Sequence, residues 1–317
     1  MFESIIEAVR KHDVIIIHRH SHPDGDALGS QIGLRALIED NFPEKTVYTV
    51  GDAAGRYSFM EGAMMDEIPD EAYEGAFAIV LDSATKELVN DHRFERAHVT
   101  ARIDHHIYCE TFTDLEIVDT SFESCAGMIA LLAEENGFAL TKRSATAIFT
   151  GMVTDSGRFR FDSVSARTFA LASFLMTAGI DTTSLYRELY SEDLERAKFR
   201  ASFLQKIRRY KESCVAYIYN TAEELREMGI TDPFQISRGM VNVMADLRGI
   251  DVWVNFTEDG DKVLCELRSS CYNVQPVAVK YGGGGHKKAC GADVRDHAMA
   301  MEMLEDLRIL TETQHEE

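Results

Sequence analysis

Short β-branched runs alternating with helix-like segments constrain this chain more than any other feature. They read "VIII" at 14–17, "TVYTV" at 46–50, "AFAIVLD" at 76–82 and "VTARID" at 99–104, with the helical stretch "LGSQIGLRALIED" after the first. Such alternation of strand-like and helical stretches predicts βαβ units around a parallel sheet, with the continuous apolar strands covered on both faces. Ligands of such open sheets sit beyond the carboxyl ends of the strands. The polar residues that end these runs are His18 to Asp26, Asp82, and Asp104 to His106.

Helical periodicity then dominates from about Glu123 to Lys211, with Gly137 placed to close the helix of "CAGMIALLAEENG". The charged segment "LYRELYSEDLERAKFRASFLQKIRRYKES" has no linker-like Gly or Pro and reads as a helical connector. Beyond it come the strands "CVAYIYN" and "DVWVNFTEDGDKVLCELRSS", the latter turning at Asp259 and Gly260, then a glycine run and a helix from about Asp296. The expected fold is α/β: a parallel-sheet N-terminal domain over 1–185, a helical connector over 186–212 and a smaller α/β domain over 213–317.

The formal net charge of −20 argues against the broad basic surface that tracks long DNA or RNA. Any nucleic-acid ligand should be short and held locally. The six cysteines form no C-x-x-C pair, so free, buried thiols in a reducing cytosol are expected. "MFESIIEAVRKHD" reads as an amphipathic helix, unlike a signal peptide, and no apolar run nears the roughly 18 residues that cross a bilayer. The expectation is a cytoplasmic protein without a membrane partner; a homodimer stays open.

The stretch "HRHSHPDGDALGS" places three histidines and two aspartates within positions 18 to 26. His20, Asp24 and Asp26 form an H-x-x-x-D-x-D pattern at a strand-to-helix turn, where carboxylates one residue apart can face two cations. Mixed carboxylate and imidazole ligands suit manganese, and also magnesium, iron or zinc. The bland alternative is that an Asp beside a helix start is a cap. Asp82 and the Asp104–His106 run end two further strands, and Asp155 stands in "GMVTDSGRF", which alone could be an ordinary Asp-Ser-Gly turn.

In order, "HSHPDGDALGS", "LDSA", "DHH", "TDSGRF" and "GGGGH" resemble the DHH phosphoesterase family with its DHH-associated C-terminal domain, and most of all its nanoRNases. That branch comprises bifunctional oligoribonucleases and pAp phosphatases. The resemblance implies a two-manganese centre: His20, Asp24 and Asp82 on one ion, and Asp26, Asp82, His105 and Asp155 on the other. Asp82 would bridge. It further implies that His106 meets substrate phosphate or moves a proton and that Asp104 orients the neighbouring histidine. His18, on the same side of the strand as His20 by alternation, is a candidate support for the ligands.

The run "GGGGHKKACG" lacks the ending of a P-loop, but its glycines would let backbone N–H groups approach an anion. A flexible turn with solvated lysines is the plain alternative. With the resemblance, Gly283, Gly284, Gly285, His286 and Arg268 become candidate substrate contacts, joined by Arg158 beside the Asp155 loop. Lys287 follows His286 where the family often has proline, which puts contacts beyond the histidine in doubt. Tyr281 is a candidate for base stacking.

The implied activity is manganese-dependent hydrolysis of very short RNA to mononucleotides, with 3′-phosphoadenosine 5′-phosphate (pAp) as a second substrate. A phosphodiesterase for linear or cyclic dinucleotide signals is the alternative enzyme. A non-catalytic nucleotide-binding module is the alternative outside enzymes.

Overall fold

The computed structural model describes residues 1–313. The chain divides into two compact units, the first Met1–Ser191 and the second beginning at Glu192.

The first unit opens with α1 (Glu3–Lys11), β1 (Val14–Arg19), α2 (Gly25–Asn41), β2 (Thr46–Thr49), β3 (Phe77–Leu81), β4 (Val99–Asp104) and β5 (Leu115–Val118). Four helices follow: α3 (Cys125–Glu135), α4 (Lys142–Asp155), α5 (Ala166–Met176) and α6 (Thr182–Tyr190). The strands form one parallel sheet in the order β2-β1-β3-β4-β5. Strand order reverses between β1 and β3, so the carboxyl ends of these two strands flank the crevice where open α/β sheets bind ligands.

Ile15, Ile16 and Ile17 are fully buried, and each such side chain contributes about 1.5–3 kcal/mol relative to exposure. Ile15 and Ile17 join the main core with α1 to α4, whereas Ile16 faces the other side among Val50, Tyr73 and Ala76. That second face differs from expectation. It is covered by 3-10 turns at Asp70–Tyr73 and His92–Arg96, which insert Tyr73 and Phe94, instead of by helices. The segments between β2, β3 and β4 carry isolated aromatics such as Tyr73 and Phe94 and no sustained helical stripe, so each buries a ring against this face and turns back. Strand β5 also went unread, because "LEIV" is half-buried at the sheet edge and too short to stand out.

The helices α2 and α4 pack unusually closely because Gly25, Gly29 and Gly33 recur every four residues on α2. A Cβ on Gly29 would lie 2.6 Å from the Ala147 carbonyl oxygen and 2.6 Å from the Gly151 nitrogen. Only bare backbone allows this approach.

The second unit contains α7 (Leu194–Leu204), β6 (Arg208–Arg209), β7 (Val215–Asn220), α8 (Ala222–Glu227), α9 (Pro233–Met240), β8 (Val252–Asp259) and β9 (Lys262–Ser269). It ends with α10 (Gln275–Lys280), β10 (Gly284–His286), β11 (Ala289–Val294) and α11 (His297–Thr313). Its sheet runs β10-β11-β9-β8-β7-β6, with β7 and β8 parallel and the other pairs antiparallel. Ala300, Met303, Leu304 and Leu307 of α11 pack with the strand residues Val254, Phe256 and Leu267. The segment read as one connector is divided: α6 belongs to the first unit, α7 and β6 to the second. Asp193 accepts from the Arg196 N–H and so starts α7 afresh.

All six cysteines are unbridged. Cys125, Cys265 and Cys290 are buried as expected, but Cys109 and Cys271 are exposed. Among the described residues no helix is long and apolar enough to cross a membrane.

Candidate metal centre

The turn from β1 into α2 delivers the first group. His20 follows the strand, its Nδ1 2.8 Å from the Ser21 carbonyl oxygen, which leaves Nε2 toward the carboxylates. Asp24 is indeed the N-cap of α2, accepting from the Asp26 and Ala27 N–H groups through Oδ1. Capping does not remove it from the centre: the same Oδ1 lies 3.9 Å from His20 Nε2. Asp26 is buried and accepts from the Cys125 and Ala126 N–H groups at 2.7 and 2.8 Å. The N-terminal dipole of α3 thus faces a carboxylate.

Asp82, just past β3, has φ of 53°, a left-handed conformation that few residues with a side chain adopt. Its N–H donates to the Ile103 carbonyl at 3.1 Å, tying the turn to β4. One carboxyl oxygen lies 3.4 Å from His20 Nε2; the other lies 3.5 Å from His105 Nε2 and 3.6 Å from His106 Nδ1. His105 Nε2 is also 3.7 Å from Asp26 and 3.6 Å from Asp155. Asp155 reaches this place because the glycines of α2 let α4 run close beside it. Gly151, one turn earlier, has room for no side chain: its Cβ would meet Asp26 Oδ1 at 2.9 Å.

Three groups of potential ligand atoms result, each within 4.8 Å: His20, Asp24 and Asp82; Asp26, His105 and Asp155; and Asp82, His105 and His106. Two ligands about 2.1 Å from a shared ion lie roughly 3.0–3.4 Å apart at octahedral to tetrahedral angles. The imidazole–carboxylate separations fall at or slightly beyond that spacing and are too long for good hydrogen bonds. Oδ1 of Asp82 is buried with no hydrogen-bond partner. Among the described residues no lysine or arginine forms an ion pair with Asp24, Asp26, Asp82 or Asp155. A carboxylate cluster with Asp26 and Asp82 buried and no fixed cation among the described residues fits divalent metal, and two imidazoles with four carboxylates suit a first-row ion.

Electrostatics report the same strain. Burial, then Asp82 and Asp155, push the Asp26 carboxyl well above its ordinary value, and burial raises Asp155 to about 6. Burial acts the same way on Asp82, but His105 and His20 outweigh it and hold that carboxyl low. Burial pulls both imidazoles down, yet the carboxylates win: Asp82 and its neighbours lift His20 to about 9 and His105 to about 10. Asp104, fully buried, accepts from His106 Nδ1 at 2.8 Å, raising the His106 pKa.

His18 is placed elsewhere. It is buried between the Tyr73 and Phe94 rings, 3.4 Å from the Tyr73 hydroxyl, on the face of the sheet away from α2. His20 lies past the end of β1, in an isolated bridge with Val89, and its Nε2 reaches Asp24 and Asp82, whereas His18 packs on Tyr73 and Phe94. Burial lowers its pKa to about 4. The brace that sequence reading missed is Arg19, buried, donating to Gln31 Oε1 at 2.8 Å and to the Asp52 carbonyl. Asp52 in turn accepts from the His22 N–H at 2.9 Å. No local pattern marks Arg19, whose partners Gln31 and Asp52 are distant in sequence.

The other candidate residues lie on other elements. Arg158 is exposed in the first unit, 3.7 Å above the Tyr190 ring. In the second unit Arg268 is 3.0 Å from Glu266, donates to the Leu267 and Cys290 carbonyls, and pairs across the ladder with Ala289. Gly284, Gly285 and His286 form an edge strand against β11. Gly283 and Gly285 are needed there for close packing: Cβ atoms would lie 2.1 Å from the Gly291 and 2.5 Å from the Ala289 carbonyl oxygens. Tyr281, read as a stacking residue, has its hydroxyl tied to Asp306 at 2.6 Å.

Comparison with known proteins agrees over nearly the whole chain. Residues 14–152 match the N-terminal domain of the DHH family, and residues 226–312 match the DHHA1 domain. The bifunctional oligoribonuclease and PAP phosphatase NrnA of Bacillus subtilis is 33% identical, with 98% of each chain covered. Its namesake in Mycoplasma pneumoniae is 32% identical over 95% of this chain and 94% of that one. In fold, the chain is similar to an exopolyphosphatase-related protein from Bacteroides fragilis, with a TM-score of 0.84 at 24% identity, covering 98% and 97% of the two chains. The protein belongs to the DHH family, its DHH domain followed by a DHHA1 domain.

Proposed function

We propose that this protein hydrolyses phosphoester bonds in very short RNA, releasing mononucleotides, and that it also removes phosphate from pAp. The observation that carries the reading is the position of Asp82, whose two carboxyl oxygens face His20 on one side and His105 on the other. The names of the full-length relatives from Bacillus subtilis and Mycoplasma pneumoniae support the substrate class. The net charge of −20 supports short substrates, because a long phosphate backbone would be repelled outside a local site.

In this reading His20, Asp24 and Asp82 hold one divalent ion, and Asp26, Asp82, His105 and Asp155 hold the other, with manganese the resident metal. Two such ions supply Lewis acidity at phosphorus and lower the pKa of the attacking water. Asp82 spans both ligand groups because its backbone is held left-handed between β3 and β4. Asp26 is kept in place by the α3 N-terminus. His106, half-exposed and fixed through Nδ1 by Asp104, presents its other nitrogen for a phosphate oxygen or for the proton required by the leaving oxygen. Gly283, Gly284, Gly285, His286 and Arg268 of the second unit, and Arg158 of the first, are assigned to substrate contact.

The test is chromatography of products after metal-stripped protein meets the RNA dinucleotide pApA with and without manganese. AMP formed only with metal is the expected result. Confirmed metal uptake with no AMP from pApA and no phosphate from pAp would defeat the reading.

A further inference from the structure

Beside the candidate ligands, the first unit has a half-open cavity of about 150 Å3 lined by Asp24, Asp155, Thr154, Arg56, Tyr57 and Tyr190. Part of this lining is acidic and belongs to the ligand groups. The rest is aromatic and cationic. Tyr57 is buried, Arg56 is exposed, and the guanidinium carbon lies 4.7 Å from the centre of the Tyr57 ring. Arg158 lies 3.7 Å from the centre of the Tyr190 ring, which is itself part of the lining.

These two arginines differ from those of the unit that are neutralised by acids. Arg35, Arg93, Arg102 and Arg143 each form an ion pair with a carboxylate. Among the described residues neither Arg56 nor Arg158 does. A guanidinium beside an aromatic side chain keeps its orientation, and even where one N–H serves Tyr57 the remaining donors of the Arg56 fork can meet an external acceptor. Arg56 is also held by structure around it. Its loop follows β2 and is fastened at Asp52 to His22 and Arg19, and the Tyr57 N–H donates to the Ala54 carbonyl.

Charge explains why such a fork belongs here. Ionised, Asp24, Asp26, Asp82 and Asp155 balance two divalent cations, so a loaded centre has no surplus positive charge for any phosphate beyond the scissile one. A nucleotide substrate with a second phosphate needs a separate cation. The cavity is too small for a nucleoside, since sites for molecules of that size start at about 300 Å3. It suits a phosphate, whose oxygens match the bidentate donors of an arginine.

We propose that this cavity is a subsite for a second phosphate group of the substrate, with Arg56 its specificity-determining contact and Arg158 beside it. The proposal rests on the phosphoester reading above. It assigns to the first unit a discrimination between substrates that carry one phosphate and those that carry two.

The test compares ApA, which has only the scissile phosphate, with pApA and ApApA. In wild-type protein the two-phosphate substrates have the lower KM. Arg56→Ala is expected to reduce that preference about tenfold, or about 1.4 kcal/mol, and Arg56→Lys to restore part of it. An unchanged preference in Arg56→Ala overturns the subsite, as does an equal KM rise for all three substrates. Calorimetric titration of pApA and ApA, with calcium in place of manganese, reads the same ratio without turnover. If wild type cleaves none of these substrates, the function reading fails while the titration still decides Arg56. A ratio of affinities that is the same in Arg56→Ala and wild type then overturns it.

Discussion

The carboxyl edge of the first sheet and the glycine-rich edge of the second both carry polar residues that stand out in sequence, yet they solve their electrostatics differently. In the second unit the flagged groups satisfy one another: Arg268 pairs with Glu266, the Tyr281 hydroxyl binds Asp306, and the glycines seat β10 against β11. At the first edge, the buried Asp26 and Asp82 and the partly exposed Asp155 converge with only His105 between them, and Oδ1 of Asp82 has no hydrogen-bond partner. A folded chain tolerates such a cluster poorly by itself, which is why the first edge points to external cations and the second does not.

The largest effect that could break this contrast comes from Asp82→Ala. It should lower kcat on pApA by at least about 10³-fold, roughly 4 kcal/mol of barrier, while circular dichroism shows the fold intact. Activity near wild type would remove the bridging role.

Metal affinity provides the next test. With His20 raised to about 9 and His105 to about 10, both imidazoles are protonated in metal-free protein at neutral pH and must lose their protons to become ligands. Affinity for manganese should rise about tenfold per pH unit for each proton displaced, up to about pH 9. The sign for stability is opposite. Raised histidines stabilise the metal-free fold fully below their unfolded pKa of about 6.5. That contribution is lost as pH climbs through the folded values of about 9 and 10. Thermal melts of metal-free protein should therefore fall over this window while those of loaded protein do not. A pH-independent affinity would mean that the cluster is not the binding site.

A smaller effect separates scaffold from ligands. Gly29→Ala inserts a methyl group 2.6 Å from the Ala147 carbonyl oxygen and the Gly151 nitrogen, so α2 and α4 must move apart. The expected loss is about 1–3 kcal/mol in denaturant unfolding, with weaker manganese binding because Asp155 moves with α4. Unchanged metal affinity in the destabilised variant would show that the helix pair does not set the geometry of the centre.

The smallest effect sharpens the second edge. Glu266→Gln removes the carboxylate paired with Arg268 and should lower KM for pApA by about two- to fivefold, within the 1 kcal/mol typical of partly exposed pairs. A higher KM would instead make the pair a required unit.

Much of the first unit was legible because its periodicity is local. Fully apolar runs announced β1, β3 and β4, and the polar residues after them marked the sheet edge. Strand β5 and the loop-covered face were not legible, since four half-buried residues and single aromatics leave no periodic trace. The candidate ligands were legible as residue types at strand ends. Arg56, Tyr57, Tyr190 and the Arg19 brace were not, because each gains meaning only from a neighbour distant in sequence.

By itself, the sequence determined the strand order of events along the chain, the chemistry available at each turn and the family to which the chain belongs. Tertiary structure alone decided that Asp155 joins Asp26, because glycines spaced four apart let two helices touch backbone to backbone. It alone turned His18 away from His20, although strand alternation placed them together. Residue types record which bonds a chain can make. Only packing, where a single methyl group changes the outcome, selects which of them it does make.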